Sequence, residues 1–346
     1  MATQEGGAEA ASPVASATQT LSQFVASVLD QLSLSAWLPS AALVLLLDFT
    51  FHLGAVLDSG SRPHNPADIT GAALAAMGRI GVSGAVLLII AVVVLTMLTQ
   101  AFAFEAIRVL EGYWGTFRAI EWAASLRCAM HRSKLTRLGR RRNKLTEKAL
   151  ETAVKKINAR RQKPYVTPNM ESVLKAWEFG TKPAVTLTSA EEKRLQKVVW
   201  ESSAPPEPMR RRVNVDRRIR DFPRADHVLP TRLGNILRYH EDKLDVEDVE
   251  SFVQDVFDDL PSSLQQSHDE ERNRLDLYCS MVFVLALSAF ATVARLGPRS
   301  WPYALGFGAI DIVGLRVMYG AALATARAYG SVLLTIMKHV REGASP

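Results

Sequence analysis

Two pairs of ionisable residues lie inside apolar runs, where charge is costly and therefore informative. Asp48 and His52 are four residues apart in a run from Trp37 to Leu57, so they share a helix face. Asp311 and Arg316 lie in a run from Tyr303 to about Thr325. A charged side chain at the centre of a bilayer costs roughly 2.5–3.5 kcal/mol on insertion scales. Each pair therefore points to a proton or cation path, or to a buried hydrogen bond. Asp48 and His52 can satisfy one another. Asp311 and Arg316 are five apart, about 140° around a helix, and face one another poorly. The expectation is that Arg316 reaches across to Asp48 as a clasp between helices rather than as part of a conduction path.

A second chemistry lies in the basic residues. Arg140, Arg141, Arg142 and Lys144 form a dense run, and Arg232 and Arg238 flank Gly234 and Asn235. Such residues contact phosphate, either in a lipid headgroup or in nucleic acid. Apolar runs nearby make the bilayer the closer source, so anionic lipid is the expected partner and nucleic acid is disfavoured. His240-Glu-Asp242 with Asp245 and Asp248 looks metal-like but lacks the order of a calcium loop, and no metal site is expected. There is no P-loop, GxGxxG, HExxH, GxSxG or kinase set. No cofactor is expected, and an enzyme ranks below a binding protein. Cys128 and Cys279 lie far apart without CxxC or histidine neighbours, and read as reduced thiols.

The elements that must position these residues are long apolar helices. A span needs about 20 residues to cross the hydrocarbon core. Four runs qualify: about 37–57, 80–104, 275–296 and 303–325, the last continuing as helix to 337. The second is the strongest, with ten consecutive apolar residues from Val86 to Leu95 and no charge before Glu105. Trp37, Trp301 and Tyr303 stand at run ends, where interface aromatics belong. Residues 1–20 hold no Lys or Arg and are read as a disordered tail rather than a cleavable signal peptide. Residues 21–34 carry Leu21, Phe24, Val25, Val28, Leu29 and Leu32 on one helical face, an amphipathic lead-in.

Between the hairpins at 35–104 and 275–337 lies an insert, 105–274. From Arg108 to Arg220 it holds 27 Lys/Arg against 11 Asp/Glu, a net of +16. The positive-inside rule places it in the cytoplasm, with both termini and the 338–346 tail. The membrane expected is the cell's plasma (inner) membrane. Leu135, Leu138, Leu145, Ala149, Ala153 and Ile157 mark one stripe of a helix in the basic part, 105–220. With no proline between Pro66 and Pro164, the second span is expected to run on into this helix, kinked at Gly112, Gly115 and Gly139. From 163 to 220, six prolines predict loop, with one short helix opened by Thr188-Ser-Ala-Glu191 and running toward Trp200. The acidic part, 241–276, carries 13 acids and 3 Lys/Arg, a net of −10. Its Val246–Leu260 pattern predicts an amphipathic helix stopped by Pro261. The opposed charges suggest that the helix bearing Arg140, Arg141, Lys144 and Lys148 docks near Glu241, Asp245, Asp248 and Glu250. In the turn after Leu229, Pro230 fixes φ, Thr231 can cap a helix from Arg232, and Gly234 permits a close backbone approach.

Three segments resemble a family of uncharacterised multi-pass membrane proteins of actinobacteria. They are Leu110-Glu-Gly-Tyr-Trp-Gly115, Leu229-Pro-Thr-Arg-Leu-Gly-Asn-Ile-Leu-Arg238 and Ala326-Arg-Ala-Tyr-Gly330. The resemblance implies the two-plus-two layout of spans and brings no activity with it. The sequence therefore predicts an all-α polytopic membrane protein whose two transmembrane hairpins flank a cytoplasmic helical domain. Its expected role is a membrane-anchored scaffold or signalling module, acting as a homo-oligomer or on a protein partner through 105–274. The alternative is a small ion channel or pore-type effector using Asp48, His52, Asp311 and Arg316.

Overall fold

The computed structural model describes residues 34–59, 65–79, 81–115, 117–161, 164–244, 246 and 249–343, all in helices and connections without a strand. The expected tail at 1–20, the lead-in at 21–33, Asp245 and Asp248 lie outside the described residues. Four helices are long and apolar enough to cross a membrane, so this is a multi-pass, all-α membrane protein. The chain divides into two compact units, Met1–Leu110 with Leu260–Val332, and Glu111–Asp259 with Leu333–Pro346.

The first unit holds the candidate spans. Helices α1 (Leu34–Asp58) and α3 (Val82–Glu111) form the first hairpin, α10 (Ser262–Leu296) and α11 (Trp301–Gly343) the second. Between α1 and α3 stands α2 (Pro66–Met77), a helix not foreseen in the connection. Asn65 caps it by accepting from the Ala67 N–H, and Pro66 sits at its first turn, where a missing N–H costs nothing. Ile69 and Ala73 of α2 are fully buried with Leu53, Leu296 and Ala304, so one cluster gathers four helices. α10 packs along α1. α3 leaves most of its apolar surface exposed, as a lipid-facing helix would.

The second unit is built on α4 (Arg118–Ala159), 42 residues and about 63 Å long. α4 does not continue α3 as expected. Gly112 and Gly115 have φ of 109° and 80°, left-handed values that end the helix there, whereas Gly139 lies within α4 and interrupts nothing. The apolar stripe of α4 buries Ala149, Leu150, Ala153 and Val154 with Met170, Val173, Leu174, Leu195 and Trp200. Leu138 packs with Val215 and Phe222 in a smaller cluster.

The proline-rich stretch is more helical than its composition suggested. It forms α5 (Pro168–Glu178) and α7 (Pro206–Ile219), with a proline in the first turn of each. These prolines open helices instead of breaking them, and Thr167 caps α5 through the Met170 N–H. α6 (Ser189–Leu195) has the expected capping box between Thr188 and Glu191, but stops at Leu195, before Trp200 enters a 3₁₀ turn. α8 (Arg232–Leu244) and α9 (Val249–Val256) follow, with a further 3₁₀ turn before Pro261.

Candidate functional site

The intramembrane acids are held by neighbouring side chains. Asp311 of α11 is 8% exposed, and its Oδ2 accepts from Ser288 Oγ and Thr292 Oγ1 of α10, both at 3.2 Å. Thr292 Oγ1 also lies 3.4 Å from Thr50 Oγ1 of α1, while Thr50 donates to the Leu46 carbonyl at 2.8 Å. α10 and α11 thus meet at one carboxyl group, and α1 approaches it through the Thr292 hydroxyl. Asp48 and His52 pair within α1, Oδ1 to Nε2 at 3.5 Å, as their spacing implied. The other Asp48 oxygen, Oδ2, is buried and has no hydrogen-bond partner among the described residues. Arg316 is exposed and forms no ion pair with Asp48 or any other described acid, so the expected cross-bundle clasp is absent. Arg316 lies on a helix face that also exposes Ile312, Val313 and Val317, which points it away from the bundle.

A second clasp stands at the other end of α1. Asp58 accepts from Arg299 Nε at 2.8 Å and lies 3.5 Å from Arg295 NH2. The Arg295 guanidinium stacks over Phe51 at 4.7 Å. Gly54 makes room for it, because a Cβ there would sit 2.7 Å from Arg295 Nε. Neither Asp58 nor the Ser288, Thr292 and Thr50 hydroxyls stood out in the sequence. The signal for the hydroxyls was the four-residue spacing of Ser288 and Thr292, which places both on one face of α10 toward Asp311.

In the second unit, the turn at 229–235 is an elbow built on hydrogen bonds. Thr231 Oγ1 accepts from the Gly234 N–H at 3.0 Å and donates to the Glu111 carbonyl at 2.8 Å. Asn235, fully buried, accepts from the Leu229 N–H at 2.9 Å and donates to the Leu229 and Thr231 carbonyls. Gly234 is obligatory, since a Cβ would stand 1.8 Å from the Glu111 carbonyl oxygen. The Leu110–Gly115 and Leu229–Arg238 segments therefore meet at Glu111.

Beside the elbow lies a charge hub. Asp242 accepts from the Arg224 N–H at 3.0 Å and contacts His227 Nδ1 at 2.6 Å. Burial pushes the Asp242 carboxyl up, but these two hydrogen bonds and the nearby cations outweigh it and hold the group below the usual carboxylate range. Arg238 binds Glu241 at 2.9 Å and lies 3.7 Å from Asp242, so it serves the hub and is not free for phosphate.

No family model, curated protein or solved structure matches this chain. The remaining candidates therefore rest on geometry alone. Arg142 is engaged by Asp216 at 2.9 Å. Arg140, Arg141 and Lys144 are exposed and pair with no acid among the described residues. Of the four acids expected to receive them, Glu241 faces Arg238 instead and Asp245 and Asp248 lie outside the described residues, while Glu250 forms no ion pair with Arg140, Arg141 or Lys144. The apolar stripe of α4 docks on α7. Hydrophobic burial outweighs exposed charge pairing, which is worth only ~0–1 kcal/mol per pair.

Arg232 is exposed at a cleft of about 220 Å³ lined by Lys134, Arg218, Asp221, Phe222 and Leu138. His131, against Phe222 at 5.8 Å, is held below its ordinary value by burial and by the charges of Arg127 and Lys134. No group of three His, Cys, Asp or Glu among the described residues is arranged to hold a metal.

Proposed function

We propose that the chain is a membrane-anchored scaffold or signalling module of the plasma membrane, whose 111–259 domain faces the cytoplasm and binds a protein partner or a second copy. The observation that carries this reading is the engagement of Asp311 and Asp58 by side chains of neighbouring helices within one chain. A conduction path would need polar groups left open to water and ions along a shared axis. The well-buried core around Met170 and Trp200 adds a folded domain outside the bilayer for partners to meet. The positive charge of 108–220 supports a cytoplasmic side. Membership of the actinobacterial family is part of the proposal, on the three segments quoted.

The second reading, an ion-conducting pore, is favoured by one feature, the unpartnered Asp48 Oδ2. Flux and yield separate the two. Under the scaffold reading, the protein in liposomes carries no proton or cation flux above empty vesicles, and Asp48→Ala or His52→Ala lowers folded yield. Flux in the wild type that either substitution abolishes, at unchanged yield, would favour the pore.

A further inference from the structure

The outward face of α4 carries two kinds of side chain that nothing in the domain uses. Near its start, Trp122, Leu126 and Met130 are 68%, 49% and 58% exposed. They stand at i, i+4 and i+8, one line along the helix. Further on, Arg140, Lys144 and Lys148 are exposed and form no ion pair with a described acid. At 100° per residue, all six fall within an arc of about 80°. The packed stripe that buries Leu138, Ala149 and Ala153 is on the opposite side. One acid, Glu151, falls inside the arc at its far end and is engaged by Lys175 at 3.4 Å, while Glu147 stands about 20° outside it.

We infer that this face of α4 is a bilayer contact, with Trp122, Leu126 and Met130 dipping into the headgroup and acyl boundary and Arg140, Lys144 and Lys148 resting on anionic headgroups. Three observations commit the face to lipid. Its chemistry is that of an interfacial helix, a large apolar line with tryptophan followed by a cationic one. Its charge complements the negative surface of a membrane containing anionic lipid. Its tether is short, because only six residues separate Glu111, the last residue of the membrane-capable α3, from Arg118. That leaves a reach of at most about 25 Å between them. A protein partner would also cover an exposed Trp–Leu–Met line, but would not require the three unpaired cations that extend it, beside which the one acid of the arc, Glu151, is already paired with Lys175. The inference is independent of the scaffold reading, since a pore with the same insert would present the same face.

Depth measurement on the full chain tests it. Spin labels are placed at Leu126→Cys and, separately, Lys144→Cys in a Cys128→Ser background, leaving the fully buried Cys279 unlabelled. The protein is reconstituted in vesicles of phosphatidylcholine alone or with phosphatidylglycerol. In phosphatidylglycerol vesicles at about 0.1 M salt, the label at 126 should collide with oxygen several-fold more than with a water-soluble nickel chelate. The label at 144 should be partly shielded from the chelate. Raising salt to about 1 M, where the Debye length falls to ~3 Å, should expose position 144. Arg140→Glu with Lys148→Glu should lift position 126 out of the lipid at an unchanged melting temperature. Equal chelate access at both positions in all vesicles would overturn the inference. Shielding that ignores lipid charge, salt and the Glu variant would also overturn it, and would assign the face to a second copy of the chain.

Discussion

Asp242 shows how a single side chain sets the geometry of the elbow region. Its carboxylate takes the Arg224 N–H on one oxygen and the His227 ring on the other, with Arg238 close by. Hydrogen bonds to a charged acceptor are worth roughly 1.5–3 kcal/mol each way of counting, and more is lost when a buried partner is stranded. Asp242→Asn should therefore lower the stability of the purified protein by about 2 kcal/mol at neutral pH. The sign of the pH dependence follows from the depressed titration of this carboxyl. Its contribution is complete above the unfolded value near ~4 and is lost as the pH falls through the lower folded value. The gap between wild type and Asp242→Asn, followed by thermal melts, should thus close below about pH 4 and stay constant above it. A gap that persists at the lowest pH, or that opens only above neutrality, would remove the charge from the explanation. Arg238 and Arg142 carry a related lesson. Both read as phosphate ligands from residue type, yet both are engaged by acids of the same domain.

At the scale of elements, glycine decides where helices stop and how closely they approach. Gly234→Ala puts a Cβ against the Glu111 backbone, which cannot yield as a flexible side chain would. Overpacking usually costs ~1–3 kcal/mol, and this contact should exceed the upper end. Gly112→Ala meets both Pro230 and a φ of 109°, and should cost about 1–3 kcal/mol. Gly139→Ala, mid-helix with nothing within 4 Å, should stabilise by up to about 1 kcal/mol. Melting temperatures that do not fall in that order would contradict the elbow geometry. Much of this architecture was legible in the sequence. The four spans, the α4 stripe, the Thr188 capping box and the Thr231–Gly234 turn all rest on local spacing, which a sequence displays directly. What could not be read depended on context. Pro168 and Pro206 look like breakers until a residue before each sets up a first turn, and α2 is too short and too rich in alanine to stand out. The partners of Asp311 and Asp58 lie on other helices, so no spacing within one segment reveals them. The opposed net charges of the two arms suggested docking because net charge ignores which face each residue occupies.

At the scale of the whole molecule, four membrane-capable helices carry a separate helical unit between the second and third of them. The helices of the first unit are joined by the Asp311 and Asp58 clasps and by the buried cluster at Leu53, Ile69 and Leu296. Interhelical hydrogen bonds in membranes average only ~0.6 kcal/mol, so packing supplies most of the anchor and the clasps fix its register. On this account the anchor is static and the domain at 111–259 is what meets the cell. Its side of the membrane is accordingly the property on which the account rests. Accessibility of single introduced cysteines in intact cells measures it most directly, with Ser59→Cys in the first hairpin's connection and Ser202→Cys in the domain, both exposed positions. A membrane-impermeant thiol reagent added outside should label position 59 at once and position 202 only after the membrane is opened. Labelling of position 202 in intact cells, with position 59 protected, would place the domain outside and contradict the account.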